Sequence, residues 1–256
     1  MSNYITPKIT LLGAGPGDIE LITLKGINAL KTADVVLYDA LVNKELLHYA
    51  PKDAVKIYVG KRNHQHAYNQ DQINTLIVDM AYTHGHVVRL KGGDSFVFGR
   101  GQEELNYANA FNIDTAVIPG ISSSISVPAL AGIPVTHRGV SESFWVITGT
   151  TKDNQLSQDI SIAAKTNATV VILMGLGKLK EIAEIFFKEG KANTAIALIQ
   201  DGSLPTQKIA LGTIETIVDI AQEKNIKAPA VIVIGEVVKQ HQDFESILIN
   251  YQHLSN

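Results

Sequence analysis

Apolar and polar residues follow two periods along this chain, one typical of strands and one typical of amphipathic helices. The clearest helical period covers residues 69–83. One face of that predicted helix carries Ile73, Leu76, Ile77 and Met80. Asn69 with Gln72 is typical of a capping box, and Gly85 follows as a stop signal. We therefore predict an N-capped helix that buries one face.

In the first half of the chain, strand and helix patterns alternate. Strands are predicted at residues 8–12, 34–38, 54–59, 86–90 and 115–118, and helices at 23–31, 69–83 and 102–111. Alternation of this kind is typical of an α/β fold with a mostly parallel sheet.

The second half of the chain repeats the alternation less regularly. Strands are predicted at residues 144–148, 168–174, 194–200, 208–211 and 230–234, and helices at 179–189 and 214–224. Between residues 200 and 208 there is no room for a crossover helix, so we expect a mixed sheet. The domain boundary is expected between Pro119 and Ser123, giving an N-terminal α/β domain over 1–120 and a C-terminal α/β domain over 121–256.

The segment from 115 to 136 carries no charge and is long enough to be tested as a membrane span. However, Pro119, Pro128 and Pro134 break helical continuity within it. We predict a buried linker or binding segment here, and no membrane association.

Composition narrows the class of protein. Of the 256 residues, 45% are apolar, which is enough for a substantial core, and the net charge of −3 argues against a general nucleic-acid binder. The chain has no cysteine, so thiolate chemistry and disulfides are excluded. The N-terminus has no export pattern, and we expect a cytoplasmic protein.

A glycine-rich segment, GGDSFVFGRG at 92–101, follows one predicted strand and precedes a helix. Glycines at this density indicate a backbone that approaches something closely, and loops at the carboxyl ends of parallel strands form ligand sites. Basic residues from several predicted loops could bind one polyanion together. They are Lys61, Arg62, Arg89, Lys91, Arg100 and Arg138. The alternative is ordinary solvated charge.

The first predicted strand ends in GAGPGD at 13–18, which resembles a dinucleotide fingerprint. Asp18 replaces the third glycine and would place a carboxylate beside the pyrophosphate, so a nicotinamide site fits poorly. Asp39 ends the second predicted strand and is a candidate general base or ligand anchor, or else a simple turn residue.

Two further patterns point to weaker candidate sites. His64 with His66, and His84 with His86, have metal-compatible spacing, but neither pair has a second ligand cluster nearby, and we expect no metal site. The serines at 122–124 do not form a nucleophile elbow, so they are candidates for ligand contacts or for helix capping.

Taken together, these segments resemble the uroporphyrinogen-III C-methyltransferases of the tetrapyrrole methylase family. The resemblance runs from about residue 9 to 238, and its most specific motifs are RLKGGDSFVFGRGQEE and AGIPVTHRG. It implies two α/β domains with a cofactor cleft between them, a homodimer, and transfer of two methyl groups from S-adenosyl-L-methionine (SAM) to uroporphyrinogen III. The product would be precorrin-2, which serves sirohaem or cobalamin synthesis.

The resemblance also implies roles for individual residues. Asp39 matches the family's proposed proton acceptor and Lys61 its proposed proton donor. Cofactor contacts are implied for Pro16, Gly92, Gly93, Asp94, Val97, Ser122, Ser123, Met174 and Gly202. For the substrate carboxylates we expect Arg89, Arg100 and Arg138. Ser95 stands where the family commonly has proline, and Ser122-Ser123 stands where threonine-alanine is common.

Four alternatives remain open from the sequence alone. One is a nicotinamide oxidoreductase, and another is a methylase of a later precorrin. The third is a ribosomal-RNA or diphthamide methylase. These methylases share the scaffold but lack this glycine-loop sequence, and the acidic net charge disfavours an RNA substrate. The fourth is a non-catalytic module that keeps the cofactor pocket.

Overall fold

A computed structural model describes residues 5–60 and 68–246 of the chain. It divides between Ser122 and Ser123 into two compact units. Each unit contains a five-stranded sheet with helices, so an α/β fold is observed in both.

The first unit is built on a parallel sheet with strand order β3-β2-β4-β1-β5. Its strands are β1 Lys8–Gly13, β2 Val35–Tyr38, β3 Val55–Tyr58, β4 His86–Lys91 and β5 Asp114–Ile118. Its helices are α1 Leu24–Leu30, α2 Gln70–His84 and α3 Gly101–Ala110. The predicted parallel sheet is confirmed.

Both faces of this first sheet are covered, which explains why its central strands are almost continuously apolar. Leu12, Val36 and Val88 pack into the core on the α1 side. Val35 and Val87, on the opposite face, pack with residues of α2 and α3. Alternate residues of each strand therefore enter different cores, as the two-residue period of a strand requires.

The second unit has a mixed sheet, as predicted, with order β6-β7-β10-β8-β9. Its strands are β6 Phe144–Thr148, β7 Thr169–Leu173, β8 Ala195–Gln200, β9 Lys208–Thr213 and β10 Ala230–Ile234. Its helices are α4 Ser123–Leu130, α5 Asp159–Ala163, α6 Leu179–Lys188 and α7 Ile217–Glu223.

The uncharged segment was expected to lack helical continuity, and the structure corrects this expectation for part of the segment. Residues Ser123–Leu130 form α4 with Pro128 inside it. The buried residues of this segment are Ser124, Val127, Pro128 and Ala131, at the i, i+3, i+4 and i+7 positions. The helical period is therefore present, but a serine and a proline occupy half of the buried face. No helix in the described part of the chain is long and apolar enough to cross a membrane.

The capping box predicted for α2 is confirmed and gives a stability test. Asn69 Oδ1 accepts from the Gln72 amide at 2.9 Å, and Gln72 Oε1 accepts from the Asn69 amide at 2.9 Å. We expect Asn69→Ala to lower the free energy of unfolding by about 1 kcal/mol, because the Gln72 backbone N–H loses its acceptor. Denaturant unfolding measures it. Asp79→Ala, at an exposed position of the same helix, is the control, and an equal loss in both variants would contradict the capping role.

Candidate active site

The first sheet contains a point at which the connections of two neighbouring strands leave to opposite faces. After β1 the chain enters α1 on one face, and after β4 it enters α3 on the other. Strands β1 and β4 are direct neighbours. In open parallel sheets a crevice forms at the carboxyl ends of such a pair, and ligands bind there.

Backbone hydrogen bonds join the loops that follow β1 and β4. The Gly93 amide donates to Gly15 O at 2.7 Å, and the Gly15 amide donates to Gly93 O at 3.2 Å. Gly93 has φ of +66°, a conformation that side chains disfavour. A Cβ atom on Gly13 would lie 2.7 Å from Gly93 O and even closer to the Gly120 backbone. Three chain segments thus approach within contact because none of them carries a side chain there.

Asp94 fixes the shape of the glycine loop. Its Oδ1 accepts from the Phe96 amide at 2.8 Å, and its Oδ2 accepts from the Gly120 amide at 3.1 Å. The carboxylate therefore ties the loop after β4 to the segment after β5. Pro16, Gly92 and Val97, the other candidate cofactor residues of this unit's loops, are half-buried and lie on the same edge of the sheet.

Asp39 follows β2, the other neighbour of β4, and lies at the same carboxyl edge. Its Oδ1 accepts from the Leu41 amide at 3.1 Å, and its Oδ2 lies 3.8 Å from Arg89 Nη2. The Asp39 side chain is 26% exposed, so one carboxylate is held in a fixed orientation and still reaches solvent.

Arg89 belongs to a buried cluster of charges beneath this edge. Its Nε donates to Glu104 Oε1 at 3.1 Å, and Lys91 Nζ donates to the same oxygen at 3.0 Å. Gln70 Nε2 is a third donor to that oxygen, at 3.2 Å. Burial, and then the Arg89 guanidinium, lower the pKa of Lys91 from its usual value. The sequence signal for this cluster was the two-residue spacing of Arg89 and Lys91 within an apolar strand, which places both on one buried face.

Arg89 was expected to contact the substrate, and its burial contradicts that expectation. Arg89 and Lys91 are 3% and 5% exposed, and Glu104 binds both of them. Arg100 is exposed and makes two bonds with Glu103, at 2.8 and 2.7 Å. The hydrogen bond to Glu103 raises the pKa of Arg100 above its usual value. Its role in substrate binding stays a prediction.

The other basic and histidine candidates either lie outside the described residues or are bonded to neighbouring groups. Lys61, Arg62, His64 and His66 lie outside the described residues. His86 bonds to the Thr10 hydroxyl at 2.8 Å and to Thr32 O at 2.9 Å, and burial lowers its pKa. Within residues 5–60 and 68–246, no group of three His, Cys, Asp or Glu residues could hold a metal ion.

In the second unit, the candidate cofactor residues lie at the ends of two strands that run in the same direction. Met174 follows β7 and Gly202 follows β8, and both strands are antiparallel to β10 between them. Met174 has φ of +56°, which is a strained backbone conformation of the kind found at functional sites. The residue is 53% exposed. Gly202 is buried against α4, and a Cβ there would overlap the Val127 side chain.

The remaining candidate residues lie at the start of α4 or in an exposed turn. Ser123 is the first residue of α4, and Ser122 precedes it. Both are half-buried, and Arg138 is exposed in the turn between His137 and Ser141. For these residues the cofactor and substrate roles stay predictions.

The structure disfavours the nicotinamide alternative at the first loop. Asp18 caps the short 3-10 turn Ile19–Leu21, accepting from the Glu20 amide at 2.9 Å. A carboxylate therefore lies at the start of the turn that follows this loop, where it would repel a pyrophosphate bound to the loop.

Comparisons with known proteins give the family of this chain. Residues 8–218 match the model of the Tetrapyrrole (Corrin/Porphyrin) Methylases. The uroporphyrinogen-III C-methyltransferase of Methanocaldococcus jannaschii is 48% identical, over 91% of this chain and 98% of that protein. The siroheme synthase of Nitrosomonas europaea is 42% identical, over 93% of this chain but only 50% of that longer protein.

A solved structure gives the same result. The uroporphyrin-III C-methyl transferase of Thermus thermophilus, complexed with S-adenosyl homocysteine, superposes with a TM-score of 0.78. It is 36% identical, over 91% of this chain and 99% of that one. A family match over most of the chain, a relative of equal length and a shared fold lead to one conclusion: this chain belongs to the tetrapyrrole methylase family.

Proposed function

We infer that this chain is a uroporphyrinogen-III C-methyltransferase that uses SAM. The observation that carries this inference is the pair of joined glycine loops at the carboxyl ends of β1 and β4, where the Gly15–Gly93 bridge lies one strand away from Asp39. The 48% identity to a uroporphyrinogen-III C-methyltransferase of matching length supports the substrate. The reaction yields precorrin-2, for sirohaem or cobalamin synthesis.

The residues at this crevice fit an adenosyl donor. Gly92 and Gly93 are half-buried and carry no side chain, so a ligand can approach their backbone closely. A Cβ on Gly92 would lie 2.6 Å from the Leu41 Cβ, so Gly92 packs against Leu41 on that side and has no room for a side chain there. We propose Pro16, Val97, Ser122, Ser123, Met174 and Gly202, with Asp94, as the further residues that hold the donor. When bound, the donor supplies a methyl group activated by sulfonium charge.

Asp39 and the basic residues have separate tasks in this proposal. The electron-rich pyrrole carbon would attack the methyl group, and the C–S bond would break to release S-adenosylhomocysteine. Positive charge then develops on the tetrapyrrole, and the Asp39 carboxylate stabilises it or accepts a proton. Lys61 is the proposed proton donor. Arg100 and Arg138 bind substrate carboxylates, for which a planar guanidinium is well suited. We further propose that the enzyme is a cytoplasmic homodimer and that its substrate is a small molecule rather than a nucleic acid.

The direct test is incubation of the protein with uroporphyrinogen III and methyl-labelled SAM. We expect a mass gain of two methyl groups and, after oxidation, the absorbance of the dimethylated product. Precorrin-2 supplied in place of uroporphyrinogen III is the control. Methylation of precorrin-2 with none of uroporphyrinogen III would assign the chain to a later step instead.

Substitution of Asp39 tests its role in turnover. We expect Asp39→Asn to reduce kcat about 100-fold, because general-base or electrostatic assistance is lost. The affinity for S-adenosylhomocysteine, measured by calorimetry, should change by less than about twofold, because the change leaves the glycine loop intact. Asp34→Asn is the control, since Asp34 immediately precedes β2 at its other end and also accepts a backbone bond. Unchanged turnover in Asp39→Asn would remove Asp39 from the mechanism.

A second substitution tests the glycine loop. We expect Gly93→Val to abolish S-adenosylhomocysteine binding, because φ of +66° is unfavourable for a β-branched residue and the loop must move. Gly190→Val is a matched control, since Gly190 has φ of +76° and lies at the end of α6, with open space around it. Thermal shifts with and without ligand separate lost binding from lost stability. A normal ligand shift in Gly93→Val would show that the donor binds elsewhere.

A further inference from the structure

The Arg89 guanidinium is oriented by acceptors other than Asp39. Its Nη1 donates to Leu90 O at 3.1 Å and to Leu37 O at 3.4 Å, and its Nε bonds to Glu104. A guanidinium is planar and rigid, so these bonds determine where Nη2 points. Nη2 is the atom that faces Asp39 Oδ2, at 3.8 Å.

Strand register explains why these groups meet. Leu37 of β2 is the Cα partner of Arg89 of β4. Asp39 is two residues beyond Leu37, and Lys91 is two residues beyond Arg89. Side chains two residues apart share a face of the sheet, so Asp39 and Lys91 extend the same row of positions toward the carboxyl edge.

Charge also connects the cluster to Asp39. The formal charges of Arg89, Lys91 and Glu104 leave one positive charge unbalanced, and Asp39 carries the matching negative charge. The side chains of these three residues are 3–7% exposed, whereas that of Asp39 is 26% exposed. Charges shielded from solvent are weakly screened, so the buried positive charge attracts the Asp39 carboxylate more strongly than a surface cation at the same distance would.

We propose that Arg89, locked in place by Glu104, is a positioning residue that orients the Asp39 carboxylate for methyl transfer. The Arg89 guanidinium attracts Oδ2 by charge from 3.8 Å while the Leu41 amide donates to Oδ1, so both carboxylate oxygens have an oriented partner. This inference rests on the proposed role of Asp39 in turnover. Arg89 touches neither donor nor substrate in this account and acts only through Asp39.

The test is a double-mutant cycle between Arg89→Lys and Asp39→Asn. A lysine ammonium is a point charge and cannot serve Glu104, two carbonyls and Asp39 in one geometry. We expect Arg89→Lys to lower kcat at least about tenfold, as misplacement of a reacting group does, with KM for SAM within about twofold. In the Asp39→Asn background the same change should cost less than about twofold, because the group it positions is gone.

Two further variants keep this test informative if Arg89→Lys folds poorly. Glu104→Gln retains a bond acceptor for Arg89 but removes the charge, and we expect an intermediate loss of kcat that also disappears in the Asp39→Asn background. Val87→Ala, on the same strand and face, creates a cavity in the core. It should lower the melting temperature while leaving the kcat of the folded enzyme unchanged, which separates positioning from stability.

The outcomes distinguish the inference from the function on which it rests. If Asp39→Asn lowers kcat and both Arg89→Lys and Glu104→Gln turn over within twofold of the unmodified enzyme, the positioning role is overturned. A loss from Arg89→Lys that is equally large with and without Asp39 also overturns it. If Asp39→Asn itself turns over normally, the role of Asp39 under the proposed function is refuted first.

Discussion

The backbones that follow β1, β4 and β5 contact one another without intervening side chains, and the candidate site depends on this contact. Gly13, Gly93 and Gly120 allow the approach, and the paired bonds between Gly15 and Gly93 hold it. A Cβ on Gly13 or on Gly120 would overlap the backbone of the other segments. Because the connections after β1 and β4 leave to opposite faces of the sheet, the joined loops border a crevice whose floor is backbone.

The neighbouring strand β2 brings a carboxylate to this backbone floor. Asp39 reaches the edge because β2 ends there, in register with β4. The two features have different physical origins: close packing of glycines shapes the loops, whereas buried charge orients the acid. Methyl transfer from a sulfonium requires alignment more than strong acid–base catalysis, and a rigid loop beside an oriented carboxylate suits that requirement.

Much of this could be predicted from the sequence, because periodicity and turn chemistry are local. The strand–helix alternation, the capping box at Asn69 and the loop at 92–101 all follow from residues close together in the chain. The buried charge cluster does not follow from local sequence alone. The two-residue spacing places Arg89 and Lys91 on one face of β4, but their common partner Glu104 comes from α3. Helix α4 was missed because Pro128 lies on its buried face, where tertiary packing outweighs a poor local propensity.

The cost of burying the cluster indicates what it is for. Taking Arg89, Lys91 and Glu104 out of water carries a desolvation penalty, and buried ion pairs are often no more stabilising than apolar residues of the same volume. The same sheet face carries Val35, Leu37 and Val87 in its apolar part, so apolar side chains could have continued along it. Charge appears only toward the carboxyl edge, where Asp39 lies. Stability alone does not require ions at that edge, whereas a buried cation behind a partly exposed carboxylate orients that carboxylate.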